Sequence, residues 1–148
     1  MKFLHPTTLR VSYNTDPSVN AHIRNKTIEC LADFKDKSEE EITRKIKKLN
    51  SEWDTERIIE KDASILVIVS SIIGLTKSRW MFLATGTVGI FLLAHALQGW
   101  CPPIPIIRRM GFRTSEEINN EKTVLKIIRG DFNKECENVS EMLAVAEK

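Results

Sequence analysis

Cysteine, glycine and proline are all scarce in this chain, and charge of neither sign dominates. Six Gly and five Pro in 148 residues exclude collagen-like and Pro/Gly-rich disordered chains. Cys30, Cys101 and Cys136 stand far apart, with no Cys-x-x-Cys pair and no Cys/His cluster at zinc spacing. Their odd number argues against a secreted disulfide scaffold. The sequence offers no phosphate-binding loop, nucleophile–base pair or metal set, so neither cofactor nor metal is expected. With 22 Lys plus Arg against 20 Asp plus Glu, the formal charge of +2 is too balanced for a dedicated nucleic-acid binder. The length suits one domain.

What is present is sharply segregated. A mean hydropathy of −0.21 averages two polar flanks and one apolar block. Between residues 63 and 100 only Lys77 and Arg79 are charged. Residues 1–62 carry twelve basic and twelve acidic side chains, and residues 101–148 eight of each. A soluble core is assembled from stripes spread over several elements. One central block between charged flanks instead predicts membrane insertion. Residues 1–6 have no long apolar run, so the internal block is expected to direct it.

Before the block, residues 1–15 read as irregular. Asp16-Pro17 then starts a helix, with Asp as N-cap and Pro at the first position, where its missing N–H costs nothing. Ile23, Thr27, Cys30 or Leu31, and Phe34 follow at helical spacing, predicting a helix over about 17–34. Ser38-Glu39-Glu40-Glu41 is a capping box. From it Ile42, Ile46, Leu49 and Trp53 recur at spacings of four, three and four, a narrow seam for packing on another helix. No Gly or Pro intervenes before Gly74, so this helix is expected to run on into the block.

The block has two halves, about 62–76 and 80–98, separated by Thr76-Lys77-Ser78-Arg79. The second, bracketed by Trp80 and Trp100, is long enough at ~30 Å to cross a bilayer, with Trp where an interfacial belt would place it. The first is short for a span, a mismatch met by snorkelling, local thinning or association. The flanks hold Arg44, Lys45, Lys47, Lys48, Arg57, Lys61, Arg108, Arg109 and Arg113 against Lys77 and Arg79 in the turn. The positive-inside rule then places both termini in the cytoplasm.

Beyond the block, Pro102, Pro103 and Pro105 predict an extended, polyproline-like exit, with Arg108 and Arg109 at lipid phosphates. Thr114-Ser115-Glu116-Glu117 is a second capping box. It opens a helix carrying Ile118, Leu125 and Ile128 on one face and stopped by Gly130. Residues 133–148 have the pattern for one more short helix. The division is therefore 1–61, an N-terminal cytoplasmic helical region; 62–100, a transmembrane helical hairpin; and 101–148, a cytoplasmic C-terminal helical region. The fold class is all-α.

Trp53-Asp54-Thr55-Glu56-Arg57, His95-Ala96-Leu97-Gln98-Gly99-Trp100-Cys101-Pro102-Pro103, Arg108-Arg109-Met110-Gly111-Phe112-Arg113-Thr114, Glu117-Ile118 and Lys126-Ile127-Ile128-Arg129-Gly130-Asp131-Phe132 flank or follow the hairpin. Over about residues 20–132 these stretches resemble the transmembrane domain of YgaP-like bacterial inner-membrane proteins. The resemblance implies a membrane hairpin that pairs as a dimer. In the best-known members a sulfur-handling rhodanese domain precedes it. This chain has no room for one and no Cys-initiated active-site loop, so sulfurtransferase activity does not carry over.

Three sets of residues are candidates for function. Cys101, at the exit, is either a thiol made reactive by Arg108 and Arg109 or a small apolar residue filling a tight turn. His95 and Gln98 share a face of the second span. There His95 either hydrogen-bonds an acidic group near Glu60 and Asp62 or forms a ligand or pH-sensing contact. The Ile42, Ile46, Leu49 and Trp53 seam is expected to join copies of the chain. Ser70 with Gly74, and Thr85 with Gly89, are small pairs that let helices approach closely. Two functions follow. One is a non-enzymatic inner-membrane hairpin that contacts the lipid bilayer and self-associates or docks an unidentified protein partner. The other is a thiol relay through Cys101.

Overall fold

The computed structural model describes residues 5–133 and 139–147, which leaves Cys136 outside. Eight α-helices and one 3-10 turn, Asp131–Asn133, make up its regular structure, with no strand among the described residues. The chain is all-α, as the sequence predicts. It forms two compact units. The first holds residues up to Arg24 with Trp53–Glu117, and the second Asn25–Glu52 with residues from Ile118 onward.

In the second unit, α3 (Glu39–Asn50) carries the expected capping box, Ser38 Oγ accepting from Glu41 N while Glu41 reaches back to Ser38 N. Its Ile42, Ile46 and Leu49 are buried against Ile118 and Leu125 of α7 (Ser115–Arg129), with Leu31 and Phe34 of α2 (Pro17–Asp33) alongside. The seam is thus filled by another helix of the same chain. Under it lies a buried carboxylate, Glu121, which takes Lys45 Nζ at 3.1 Å and the Cys30 thiol at 3.6 Å. Gly130, at φ 83°, follows the end of α7 where the pattern placed a stop. The last helix, α8, is Val139–Glu147.

The seam helix does not run on into the apolar block. It ends at Asn50, and α4 (Thr55–Thr76) starts afresh under its own cap, Asp54 Oδ1 accepting from Arg57 N at 2.8 Å. An N-cap offers the first N–H groups a partner that a continuing helix would not need. Thr55, fully buried, fixes the break: its N–H and hydroxyl both donate to Arg113 O, at 2.8 and 3.0 Å. Trp53 consequently leaves the seam. In the first unit it stands 43% exposed with the Arg57 and Lys61 cations over its ring.

In that unit, α4 and α5 (Met81–Gln98) lie side by side about the turn at residues 77–80. Ala63, Ser70 and Gly74 are the buried positions of the apolar stretch of α4. Ser70 and Thr85 share a hydroxyl hydrogen bond at 2.6 Å, and Phe82 lies 3.1 Å from where a Gly74 Cβ would be. Small residues face inward and large ones outward: Ile65, Leu66, Ile68, Ile72, Leu75, Leu83, Ile90 and Leu93 are all exposed. Gly99 ends α5 at φ 74°, and an added Cβ would sit 2.5 Å from the Arg10 carbonyl. Only glycine permits both the left-handed turn and that approach of α1 (Arg10–Tyr13), a helical turn inside the segment expected to be irregular.

The exit is helical too, not polyproline-like. Helix α6 (Ile104–Arg109) starts after Pro103 with Pro105 in its first turn, where no intrahelical N–H bond is forgone. Ile104 and Ile107 are buried with Val11, Ile58, Ile59 and Cys101. Arg108 turns inward with them, 1% exposed, instead of reaching for lipid phosphates. Its Nη1 and Nη2 fork onto Glu117 Oε2 and Oε1, each at 2.7 Å. Nη1 also donates to Phe112 O, Nη2 to Asn20 Oδ1 and Nε to Thr15 Oγ1. Glu117 closes the expected second capping box, accepting from Thr114 N at 2.9 Å while Thr114 Oγ1 accepts from Glu117 N.

Removing the guanidinium leaves five acceptor atoms, on four residues, without their donor. Arg108→Ala is therefore expected to cost about 3–5 kcal/mol, the usual scale for breaking a buried ion pair. Exposed Arg109→Ala should cost less than about 0.5 kcal/mol. Denaturant unfolding of both purified variants in mild detergent measures the difference.

Candidate functional site

The candidate residues do not assemble into one site. Ile42, Ile46 and Leu49 form core in the second unit, and Trp53 stands apart on the surface of the first. His95 and Gln98, three apart on α5, part company: His95 is 5% exposed, whereas Gln98 is exposed and contributes its backbone carbonyl to Asn14 Nδ2 at 2.7 Å. The expected hydrogen bond from His95 to an acidic side chain is absent. Ser64 bonds the Glu60 carbonyl instead, and both His95 ring nitrogens are buried without a partner.

Those nitrogens belong to a polar cluster at one end of the helix pair. Arg10 Nε and Glu56 Oε2 are also buried without a hydrogen-bond partner, and Arg10 acts electrostatically on both Glu56 and His95. Glu60 is the other charged group acting on His95. Gly99 brings Arg10 here by admitting α1 against the end of α5. Glu56, in the first turn of α4 before its apolar stretch, is held above the usual carboxylate range. Burial is the main cause, and the Asp54 carboxylate adds to it against the opposing pull of Arg10. Unsatisfied buried donors and acceptors are uncommon and gather where a structure meets water, an ion or a ligand. Here they offer two ring nitrogens, one guanidinium N–H and one carboxylate oxygen. Arg10 and Glu56 carried no sequence signal, since their association depends on a 46-residue separation closed only by folding.

Cys101 lies elsewhere. It is 5% exposed and packs with Ile58, Ile59 and Ile104 at the wall of an apolar pocket of about 490 Å³. Burial pushes its thiol up, away from the thiolate. Arg108, expected to activate it, is turned to Glu117. Cys30 is half-buried on α2, and its thiol donates to the buried Glu121 carboxylate of α7. No cluster of three metal-ligating side chains occurs among the described residues. Compared with family models, curated proteins and solved structures, the chain matches none.

Two outcomes follow from these environments. Because Glu56 binds its proton more tightly folded than unfolded, its contribution to stability falls as pH rises through the range above ~4.3. Glu56→Gln should remove that fall, making the variant's unfolding midpoint the flatter of the two between acid and neutral pH. Second, iodoacetamide at neutral pH should modify Cys30 before Cys101, as peptide mass spectrometry of the native protein reports. Faster modification of Cys101 would contradict its placement in the core.

Proposed function

We propose that the chain is a membrane-embedded helical-hairpin protein that works as a non-enzymatic interaction module. The observation that carries this reading is the exposure of α5. It is long and apolar enough to cross a bilayer, with a mean hydropathy of 1.5, yet only 6% of it is buried in the fold. The core helix of a soluble protein is covered by its neighbours; this one, with the outer face of α4, presents a continuous apolar surface to its surroundings. Trp80 at the turn and Trp100 past the far end are both exposed, as an interfacial belt requires.

In this reading α4 is the first span and α5 the second. Its apolar part from Ala63 to Thr76 in α4 is ~21 Å long, short for the hydrocarbon core, so the bilayer thins locally around it. Glu56, Arg57, Glu60, Lys61 and Asp62 confine its charges to the first turns, which lie at head-group depth. The basic residues of the flanks still outnumber those of the turn after Arg108 is withdrawn into the protein, so both termini face the cytoplasm of a bacterial inner membrane. The resemblance to YgaP-like transmembrane domains agrees with this architecture. Self-association, if it uses this surface, falls to the open face of α5, where Gly86 and Gly89 have nothing within 4 Å of an added Cβ. The seam through Ile42, Ile46 and Leu49 is already occupied. A thiol relay through Cys101 draws no support from a buried, protonated sulfur.

The chain is expected to stay with membranes through carbonate washing. On a cysteine-free background, Ser78→Cys should be labelled from outside intact cells and Ser51→Cys only after permeabilisation. Release by carbonate would end the membrane reading, and reversed labelling would invert the orientation.

A further inference from the structure

The pocket beside the end of α5 carries a second assignment: we propose that it binds the head group of a phosphoethanolamine phospholipid, with Arg109 taking the phosphate and Asp16 the ammonium. The inference rests on the membrane reading above. The pocket measures about 480 Å³, and Tyr13, Asn14, Asp16, Trp100, Pro105 and Arg109 line it. Its place in the chain sets its depth. Trp100 directly follows the glycine that ends the apolar helix, so the pocket opens where that helix leaves the hydrocarbon for the head-group layer.

Three features match such a ligand. Arg109 is exposed and unlike its neighbour Arg108 does not turn into the fold, and a guanidinium is the side chain best suited to a two-point hold on phosphate. Beside it, Ile106 on α6 and Met110 just past its end are 65% and 69% exposed, giving acyl chains an apolar surface next to the charge. Opposite stands Asp16, whose Oδ1 accepts from Ser18 N at 2.8 Å and Ser18 Oγ at 2.6 Å. Those bonds hold the carboxylate ionised, its charge facing Arg109.

One exposed cation and one anion held by Ser18 select a zwitterion. A phosphoglycerol head group would place only neutral hydroxyls at Asp16, leaving its carboxylate without the counter-charge that an ammonium supplies. A phosphocholine head group carries the right charges but has no N–H to donate to the carboxylate. Only a primary ammonium meets both demands, while the Trp100 and Tyr13 rings supply amphipathic walls suited to this depth.

The test uses the purified full chain in mild detergent, offered an equal mixture of phosphatidylethanolamine, phosphatidylglycerol and phosphatidylcholine with identical acyl chains, and reads bound lipid by native mass spectrometry. Wild type should retain phosphatidylethanolamine over either competitor by roughly five- to tenfold, the scale of one charge-assisted contact. Arg109→Ala should lower retention of all three. Asp16→Asn, which keeps a good cap for α2, should abolish only the preference over phosphatidylglycerol. Equal retention of the three lipids, or a preference untouched by Asp16→Asn, would overturn the assignment. So would displacement of lipid by an equal concentration of glycerophosphoethanolamine, which would place the ligand in solution. A chain that resists carbonate yet shows no preference loses this pocket alone, whereas one released by carbonate loses the membrane reading itself.

Discussion

A guanidinium with no exposure to water has one stable solution, which is to engage every N–H it carries. Arg108 does so, with its five N–H groups distributed over Thr15, Asn20, Phe112 and both oxygens of Glu117. Three stretches of chain, the α1–α2 turn, the end of α6 and the start of α7, are thereby held to one centre. Each partner is itself fixed. Thr15 donates to Val11 O, Asn20 Nδ2 to Ser12 O, and Glu117 closes the cap of α7. The helical exit follows from this constraint. An extended chain through the prolines would not bring Ile104, Ile107 and Arg108 to one face, and all three are buried together only because α6 has helical periodicity.

The apolar pair inverts the usual distribution of size across a fold. Soluble proteins fill the interior with large side chains. Here the α4–α5 contact is made by Ala63, Ser70, Gly74 and Thr85, and the bulk of Ile, Leu and Trp lies outside. Small residues bring backbones close enough for dispersion and a hydroxyl pair to hold the helices, which is how helices associate where no hydrophobic force separates them from their solvent. In water the same outer surface would be the largest unfavourable feature of the molecule. Composition and packing therefore support the proposed membrane reading for the same physical reason, though they are separate observations.

Local signals were legible in the sequence; distant pairings were not. The capping boxes at Ser38 and Thr114, the Asp16-Pro17 start, the Gly130 stop and the turn at Lys77 all depend on residues a few positions apart, and each stands where the pattern put it. The break before α4 also had a local sign in Asp54-Thr55. A run without Gly or Pro masked it, although a cap needs neither. Arg108 was legible only as a charge. Its partners at Thr15 and Asn20 lie 93 and 88 residues away, and such a pairing leaves no periodicity to detect. The same limit applies to the polar cluster. Sequence spacing put His95 near Glu60, but it had no means to bring in Arg10, which the open side of Gly99 admits.

That cluster also bears on the short apolar stretch of α4, the first span of the hairpin proposed above. The apolar stretch of α4 is brief because its first two turns carry charges, although the helix as a whole, at 22 residues, is longer than its 18-residue neighbour. Across from those turns α5 carries its own polar group, His95, and α1 adds Arg10. The two helices thus change from apolar to polar at the same level. A bilayer that covered the apolar part of α5 completely would have to submerge Glu60 and Asp62, whereas one that ended at Ala63 leaves the polar layer in the head-group region. There its unsatisfied nitrogens and oxygens can be hydrated, while in hydrocarbon each would cost several kcal/mol. On the membrane reading proposed above, depth is therefore set by where the charges of α4 stop, not by the length of either helix.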